Sequence, residues 1–97
     1  MSPRPRRHGA SIPEVTLYHA VGCHLCERAR AQLEALRAEE EFELREVNIS
    51  GDPDLEARYR EWLPVVELDG ARVCTYYVHP EPFRRKLAQS RSAARRL

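Results

Sequence analysis

Cys23 and Cys26 are the residues of this chain best suited to chemistry, two thiols in the run Cys23-His24-Leu25-Cys26. They lie between the apolar stretch Val15-Thr16-Leu17-Tyr18 and the helix-forming run from Glu27 to Leu36. At that spacing on the first turn of a helix, two sulfurs can close a small disulfide ring without unwinding it, which permits reversible two-electron exchange. The free N–H groups and about half a positive charge at a helix N-terminus favour a sulfur there as thiolate, and Cys23 is the better placed of the two. Each unit of pKa depression is worth about 1.4 kcal/mol of preference for the charged form. His24, between the sulfurs, would add to this when protonated, stabilising the dithiol and raising the potential. About 30 mV corresponds to about 1.4 kcal/mol for two electrons, so one contact is enough to move the site measurably. The competing reading of His24 is a solvated side chain on a loop tip. His19 reads as packing or solvent-facing, and Cys74, outside any pair, as a small buried hydrophobe.

The elements that must position this pair follow from pattern. Val15–Tyr18, short and rich in β-branched and aromatic residues, predicts a buried strand. Cys26, Ala29, Leu33 and Leu36 then form one stripe of a helix, with Cys26 as its first member. Phe42–Ile49 predicts a second strand whose imperfect alternation suits a sheet edge, and strand, helix, strand over this distance makes a right-handed βαβ unit. Between them Glu39–Glu41 reads as a solvated charge run. Asp52-Pro53-Asp54 signals a helix start, with Asp52 as cap and Pro53 in the first turn. Leu55, Tyr59 and Trp62 are expected on that helix's inner face. Pro64 opens the apolar strand Leu63–Leu68, Asp69-Gly70 is a strong hairpin signal, and Arg72–Val78 is expected to return as a fourth strand. His79-Pro80-Glu81-Pro82 then starts a last helix, with Phe83 and Leu87 on one face.

A chain of 97 residues with 42% apolar content supports one domain and one core. No apolar run is long enough to span a membrane, and the N-terminus lacks a secretory h-region, so a cytoplasmic location is expected. In that reducing milieu an odd number of cysteines is not a structural disulfide framework, and a close pair points to catalysis or metal binding. Charge is uneven: Arg4, Arg6 and Arg7 sit at one end, Arg84, Arg85, Lys86, Arg91, Arg95 and Arg96 at the other, and every acid lies between. Residues 1–13 read as a disordered basic arm, 14–89 as the folded domain and 90–97 as a basic C-terminal tail. No aromatic residues interleave these arginines, so nucleic acid is an unlikely partner on this pattern. Lys86 is the only lysine, which suits a GC-biased genome.

The order β-α-β-α-β-β-α, with the cysteines at the first strand-to-helix junction and Leu63-Pro64-Val65 before the third strand, resembles the glutaredoxin branch of the thioredoxin fold. Leu17-Tyr18 through Gly22-Cys23-His24-Leu25-Cys26-Glu27 is similar to the small bacterial glutaredoxin-like proteins, and the resemblance covers residues 15–88. It implies an α/β fold with a four-stranded mixed sheet flanked by helices, and a thiol-disulfide oxidoreductase. By the resemblance Pro64, which sequence alone would leave trans, is cis and faces the cysteines. Leu63 then pairs its backbone with an extended substrate. Cys23 attacks the substrate disulfide and Cys26 resolves the mixed disulfide. The implied partners are a disulfide-containing protein or a small-thiol mixed disulfide, and a thiol or reductase as electron donor. No bound cofactor or metal is implied, and glutathione or another low-molecular-weight thiol is a possible reductant. Arg28 and Arg30 resemble the family's basic residues that meet a carboxylate. Where glutathione-using members carry a Gly-Gly turn with acidic residues after the last strand, this chain has Tyr76-Tyr77-Val78-His79-Pro80, so use of a different small thiol is equally compatible. Two alternatives stay open: a zinc or iron–sulfur module using Cys23, Cys26 and His24, His19 or a second chain, and a catalytically silent adaptor of the same fold.

Overall fold

The computed structural model describes residues 12–96, with side chains to residue 91. The elements are β1 (Glu14–His19), α1 (His24–Arg37), β2 (Glu43–Asn48), α2 (Pro53–Tyr59), a 3-10 turn (Arg60–Trp62), β3 (Val65–Leu68), β4 (Ala71–Thr75) and α3 (Pro80–Arg96). The four strands form one sheet in the order β2-β1-β3-β4. β1 runs parallel to β2 from Glu14↔Glu43 to His19↔Asn48, and antiparallel to β3 from Val15↔Leu68 to Tyr18↔Val65. β2 is an edge strand, which accounts for its imperfect alternation: one flank has no neighbouring strand to bury it.

β1 divides the core between the two faces of the sheet. Val15 and Leu17 pack with Ala29, Leu33, Phe83 and Leu87 from α1 and α3, while Tyr18 packs on the other face with Ile49, Tyr59 and Val65. The stripe Cys26, Ala29, Leu33 and Leu36 is the buried face of α1. Asp52 caps α2 as expected, its carboxylate accepting from the N–H groups of Asp54 and Leu55, with Pro53 in the first turn. Asp69 and Gly70 turn the hairpin with φ of 51° and 89°, the left-handed pair that a two-residue loop between twisted strands requires.

The structure departs from the sequence reading at β4 and at Trp62, and it adds ion pairs to the solvated Glu39–Glu41 run. β4 stops at Thr75 instead of Val78, because Tyr76 takes a left-handed φ of 69° opposite Pro64, whose carbonyl accepts the Tyr76 N–H at 2.9 Å but which has no N–H to return a ladder bond. Val78 is buried all the same, packed into the core from the connecting loop. Trp62 is 43% exposed, not on an inner face. The chain tightens from α2 into a 3-10 turn at Arg60, and three residues per turn rotate Trp62 off the α-helical stripe. The Glu39–Glu41 run is tied to α3: Arg84 reaches Glu39 at 2.8 Å and Glu40 at 3.5 Å, and Arg91 donates to the Glu41 carbonyl.

The stretch after Gln89, which by sequence can either prolong the last helix or fray, prolongs it. α3 runs past residue 89 to Arg96, since nothing in Ser90–Arg96 breaks a helix, and Ser90 donates to the Asp69 carboxylate. Pro13 is buried and its carbonyl accepts from the Glu43 N–H, whereas the rest of the expected arm, up to residue 11, lies outside the described residues.

Candidate functional site

The strand register places Tyr18 near the end of β1, Val65 at the start of β3 and Thr75 at the end of β4 beside one another. The loops that leave or enter these positions therefore gather at one end of the sheet, and they carry Cys23, Leu63-Pro64 and Tyr76-Tyr77. In the first loop Gly22 adopts a φ of 79°, and Ser50 accepts from the Val21 N–H at 3.1 Å, which anchors the turn to the end of β2. Cys23 is the N-cap of α1 in extended conformation, and its Sγ accepts from the Cys26 N–H at 3.1 Å.

Cys23 and Cys26 are joined as a disulfide with a Cα–Cα separation of 5.2 Å. Their environments differ: Cys26 is 2% exposed, on the buried stripe of α1, whereas Cys23 is half-buried. One sulfur is open to an incoming molecule and its partner is shielded behind it. His24 is exposed in the first turn of α1. The Leu63–Pro64 peptide bond is cis and Pro64 is fully buried. Leu63 is the C-cap of the 3-10 turn, whose i→i+3 pattern takes its N–H, while none of the loop, turn and cap backbone hydrogen bonds among the described residues uses its C=O.

A groove of about 560 Å³ adjoins the first turns of α1, lined by Leu25, Arg28, Gln32, Tyr76, Tyr77 and His79 among others. The Gln32 amide donates to the Val78 carbonyl and holds the far wall in place. Arg30, by contrast, points elsewhere and pairs with Glu46 at 3.0 Å. Of the two arginines read as carboxylate contacts, only Arg28 lies on this groove. The exposed aromatic residues Trp62, Tyr76 and Tyr77 were not singled out from sequence as site residues. Tyr76 and Tyr77 do carry a signal, since they stand where glutathione-using members have a Gly-Gly turn, whereas Trp62 reads from sequence as part of a helix's inner face.

Cys74, Tyr59 and His19 are among the titratable groups displaced by their surroundings. Burial raises the Cys74 thiol, against a weaker opposing hydrogen bond with the backbone of His79, so this cysteine stays protonated and hydrophobic. Burial, then hydrogen bonds with Tyr18 and Glu67, push the Tyr59 phenol up to about 12. Tyr18 and Tyr59 stack at 4.0 Å and both hydroxyls meet the Glu67 carboxylate. His19 is held below its ordinary value of 6.5 chiefly by burial, with Glu46 opposing and Arg30 reinforcing. A depressed imidazole favours folding while neutral, so its contribution is present above 6.5 and is lost as pH falls towards the lower folded value. Melting curves between pH 7.5 and 5 are expected to show wild type losing stability relative to His19→Gln on the acid side. Parallel curves would mean that His19 titrates freely.

Among the described residues no group of three or more His, Cys, Asp or Glu side chains is placed to hold a metal ion, and no helix is long and apolar enough to cross a membrane. A mixed four-stranded sheet flanked by helices, with a cysteine pair at the first strand-to-helix junction and a cis-proline before β3, defines a protein of the thioredoxin fold. The X-ray structure of Fasciola hepatica thioredoxin shares this fold, with a TM-score of 0.58 at 21% identity over 84% of this chain and 83% of that one. Residues 14–88 match the model of the glutaredoxin-like domain (DUF836), and the chain belongs to that family. Uncharacterized proteins of Mycobacterium bovis and Mycobacterium tuberculosis are 33% identical over 85 residues, covering 82% of this chain and 88% of theirs. The solution structure of protein Ne2328 from Nitrosomonas europaea has a TM-score of 0.69 at 26% identity, over 89% of this chain and 98% of that one.

Proposed function

We propose that the protein is a thiol-disulfide oxidoreductase acting in a reducing compartment, the cytoplasm, with Cys23 as nucleophile and Cys26 as resolving thiol. The observation that carries this reading is the asymmetry of the pair. Cys23 is half-buried at the N-cap with its sulfur on the Cys26 N–H, and Cys26 is shielded on the helix stripe. The hydrogen bond and the helix N-terminus both favour negative charge on the Cys23 sulfur once the disulfide has opened.

The Cys23 thiolate attacks one sulfur of a substrate disulfide, forming a mixed disulfide and expelling the other substrate sulfur as a thiolate that takes a proton from water. Cys26 then gives up its proton and attacks the Cys23 sulfur, releasing the second substrate thiol and closing the Cys23–Cys26 bond. Two electrons pass from the protein to the substrate. An external dithiol reductase or a low-molecular-weight thiol such as glutathione restores the dithiol. Leu63 is offered as the backbone partner of the substrate, Pro64 as the residue that sets it, and Arg28 as a contact for a carboxylate on the groove side. His24, exposed beside both sulfurs, is proposed to add positive charge near the thiolate.

Reduced protein is expected to be alkylated by iodoacetamide at pH 7 first at Cys23, with Cys26 and Cys74 slow, and to reduce insulin when supplied with dithiothreitol. Three equally slow thiols and no reduction above the dithiothreitol background would leave a silent member of the fold.

A further inference from the structure

Four large apolar side chains are exposed among the described residues: Val21, Trp62, Tyr76 and Tyr77. All four sit on the connections at the end of the sheet that carries the disulfide, Val21 two residues before Cys23, Trp62 just before Leu63-Pro64, and Tyr76 and Tyr77 on the groove. Exposed apolar groups scattered singly need no explanation, but their collection at the one end of the sheet that carries the cysteine pair marks a contact surface.

Trp62 is held there by neighbours. The Arg72 guanidinium lies 5.9 Å from the ring centroids of both Tyr59 and Trp62, the Tyr76 ring is 6.2 Å away, and the Tyr76 hydroxyl donates to the Glu61 carbonyl at 3.1 Å. A ring fixed before binding loses little rotamer freedom on contact, which is how an aromatic residue becomes a strong anchor. The groove beside it is lined by one guanidinium and one imidazole, and by no carboxylate. It therefore offers no opposite charge to pair with the ammonium group of a small zwitterionic thiol. The Leu63 C=O, which no loop, turn or cap backbone bond among the described residues uses, is instead suited to the N–H of an extended main chain.

Building on the redox reading above, we infer that the substrate is a polypeptide disulfide whose cysteine is flanked by large apolar side chains, and that Trp62 is the residue that selects it. The flanking side chain lies against the Trp62 ring while the substrate backbone pairs with Leu63. The electrons move as already described: two from the Cys23/Cys26 dithiol to the polypeptide disulfide, with an external dithiol restoring the pair.

The test compares three oxidised probes at equal concentration: the disulfide dimer of a hexapeptide with Leu and Phe beside its cysteine, the same dimer with Ser and Gln there, and oxidised glutathione. Wild type is expected to reduce the first about tenfold faster in kcat/KM than the other two, equivalent to about 1.4 kcal/mol. Trp62→Ala, with Tyr77→Ala as a second variant, is expected to erase most of that preference while the glutathione rate stays within about twofold. Trp62 is the only tryptophan. Its emission is therefore expected to shift to the blue when Cys26→Ser protein traps the apolar peptide on Cys23, and to stay put when glutathione is trapped. Equal wild-type rates on all three probes, or a Trp62→Ala loss shared by all three, would overturn the inference and leave the redox reading standing. Reduction of none of them would overturn both.

Discussion

Replacing Cys23 by Ser is expected to abolish disulfide reduction, a loss of at least about a thousandfold, while the protein keeps its melting cooperativity and secondary structure. A serine hydroxyl can still cap α1 by accepting from the residue 26 N–H, as the Cys23 sulfur does at 3.1 Å. It cannot act as a thiolate. Cys26→Ser is expected to behave differently: attack by Cys23 survives, resolution does not, and a stable mixed disulfide accumulates with one equivalent of substrate. The contrast rests on burial, because a side chain 2% exposed cannot meet a substrate first. Mass spectrometry of the intact protein after exposure to an activated disulfide, with and without a later dithiothreitol chase, separates the two outcomes. Equal trapping by both variants would remove the distinction between attacking and resolving sulfur. The third thiol provides an internal control, since Cys74→Ala is expected to leave turnover unchanged.

The largest effect on stability is expected from Phe83→Ala. Phe83 is 1% exposed and meets Phe42 edge to face, at 5.6 Å between centroids and 80° between planes. It belongs to the same cluster as Val15 and Leu17 of β1 and Ala29 and Leu33 of α1, so one ring joins α3, the central strand and the helix that carries the cysteines. Truncation loses the transfer free energy of the ring and leaves a cavity, together about 3–5 kcal/mol. The pairing with Phe42 accounts for about 0.5–1.5 kcal/mol beyond burial. Against a total stability of about 5–15 kcal/mol this is a large fraction, and the melting temperature is expected to fall by roughly 15–25 °C. Phe83→Leu, which keeps most of the volume, is expected to cost less than half as much. Urea unfolding of the three proteins gives the comparison, and a loss below about 1.5 kcal/mol for Phe83→Ala would mean that α3 docks without this ring. The assay temperature must stay below the variant's transition, where the cysteine chemistry is expected to be unaffected because Phe83 touches neither sulfur's loop.

Much of the architecture was legible in local chemistry. The Cys26, Ala29, Leu33, Leu36 stripe, the Asp52-Pro53 helix start, the Asp69-Gly70 turn and the edge character of β2 each follow from a periodicity or a backbone preference confined to a few neighbouring residues. The errors fell where a distant group decided the outcome. β4 ends early because Tyr76 turns to a left-handed φ of 69° opposite Pro64, which has no N–H to return a ladder bond, and no pattern within Arg72–Val78 contains that proline. Trp62 left its stripe when the helix tightened into a 3-10 turn before the cis peptide. The Glu39–Glu41 run is solvated as it reads, but the arginines it pairs with, Arg84 and Arg91, come from α3, about fifty residues away.

Residue order alone determined that two sulfurs could close a ring at the start of a helix, and which of them would cap that helix, because both properties depend on spacing along one backbone. Only the tertiary structure decided that Trp62, Tyr76 and Tyr77 share the end of the sheet that carries the cysteine pair and that Arg28, unlike Arg30, lies on the groove. Those relations join groups dozens of residues apart, and they exist only once the sheet register has brought the ends of β1, β3 and β4 together.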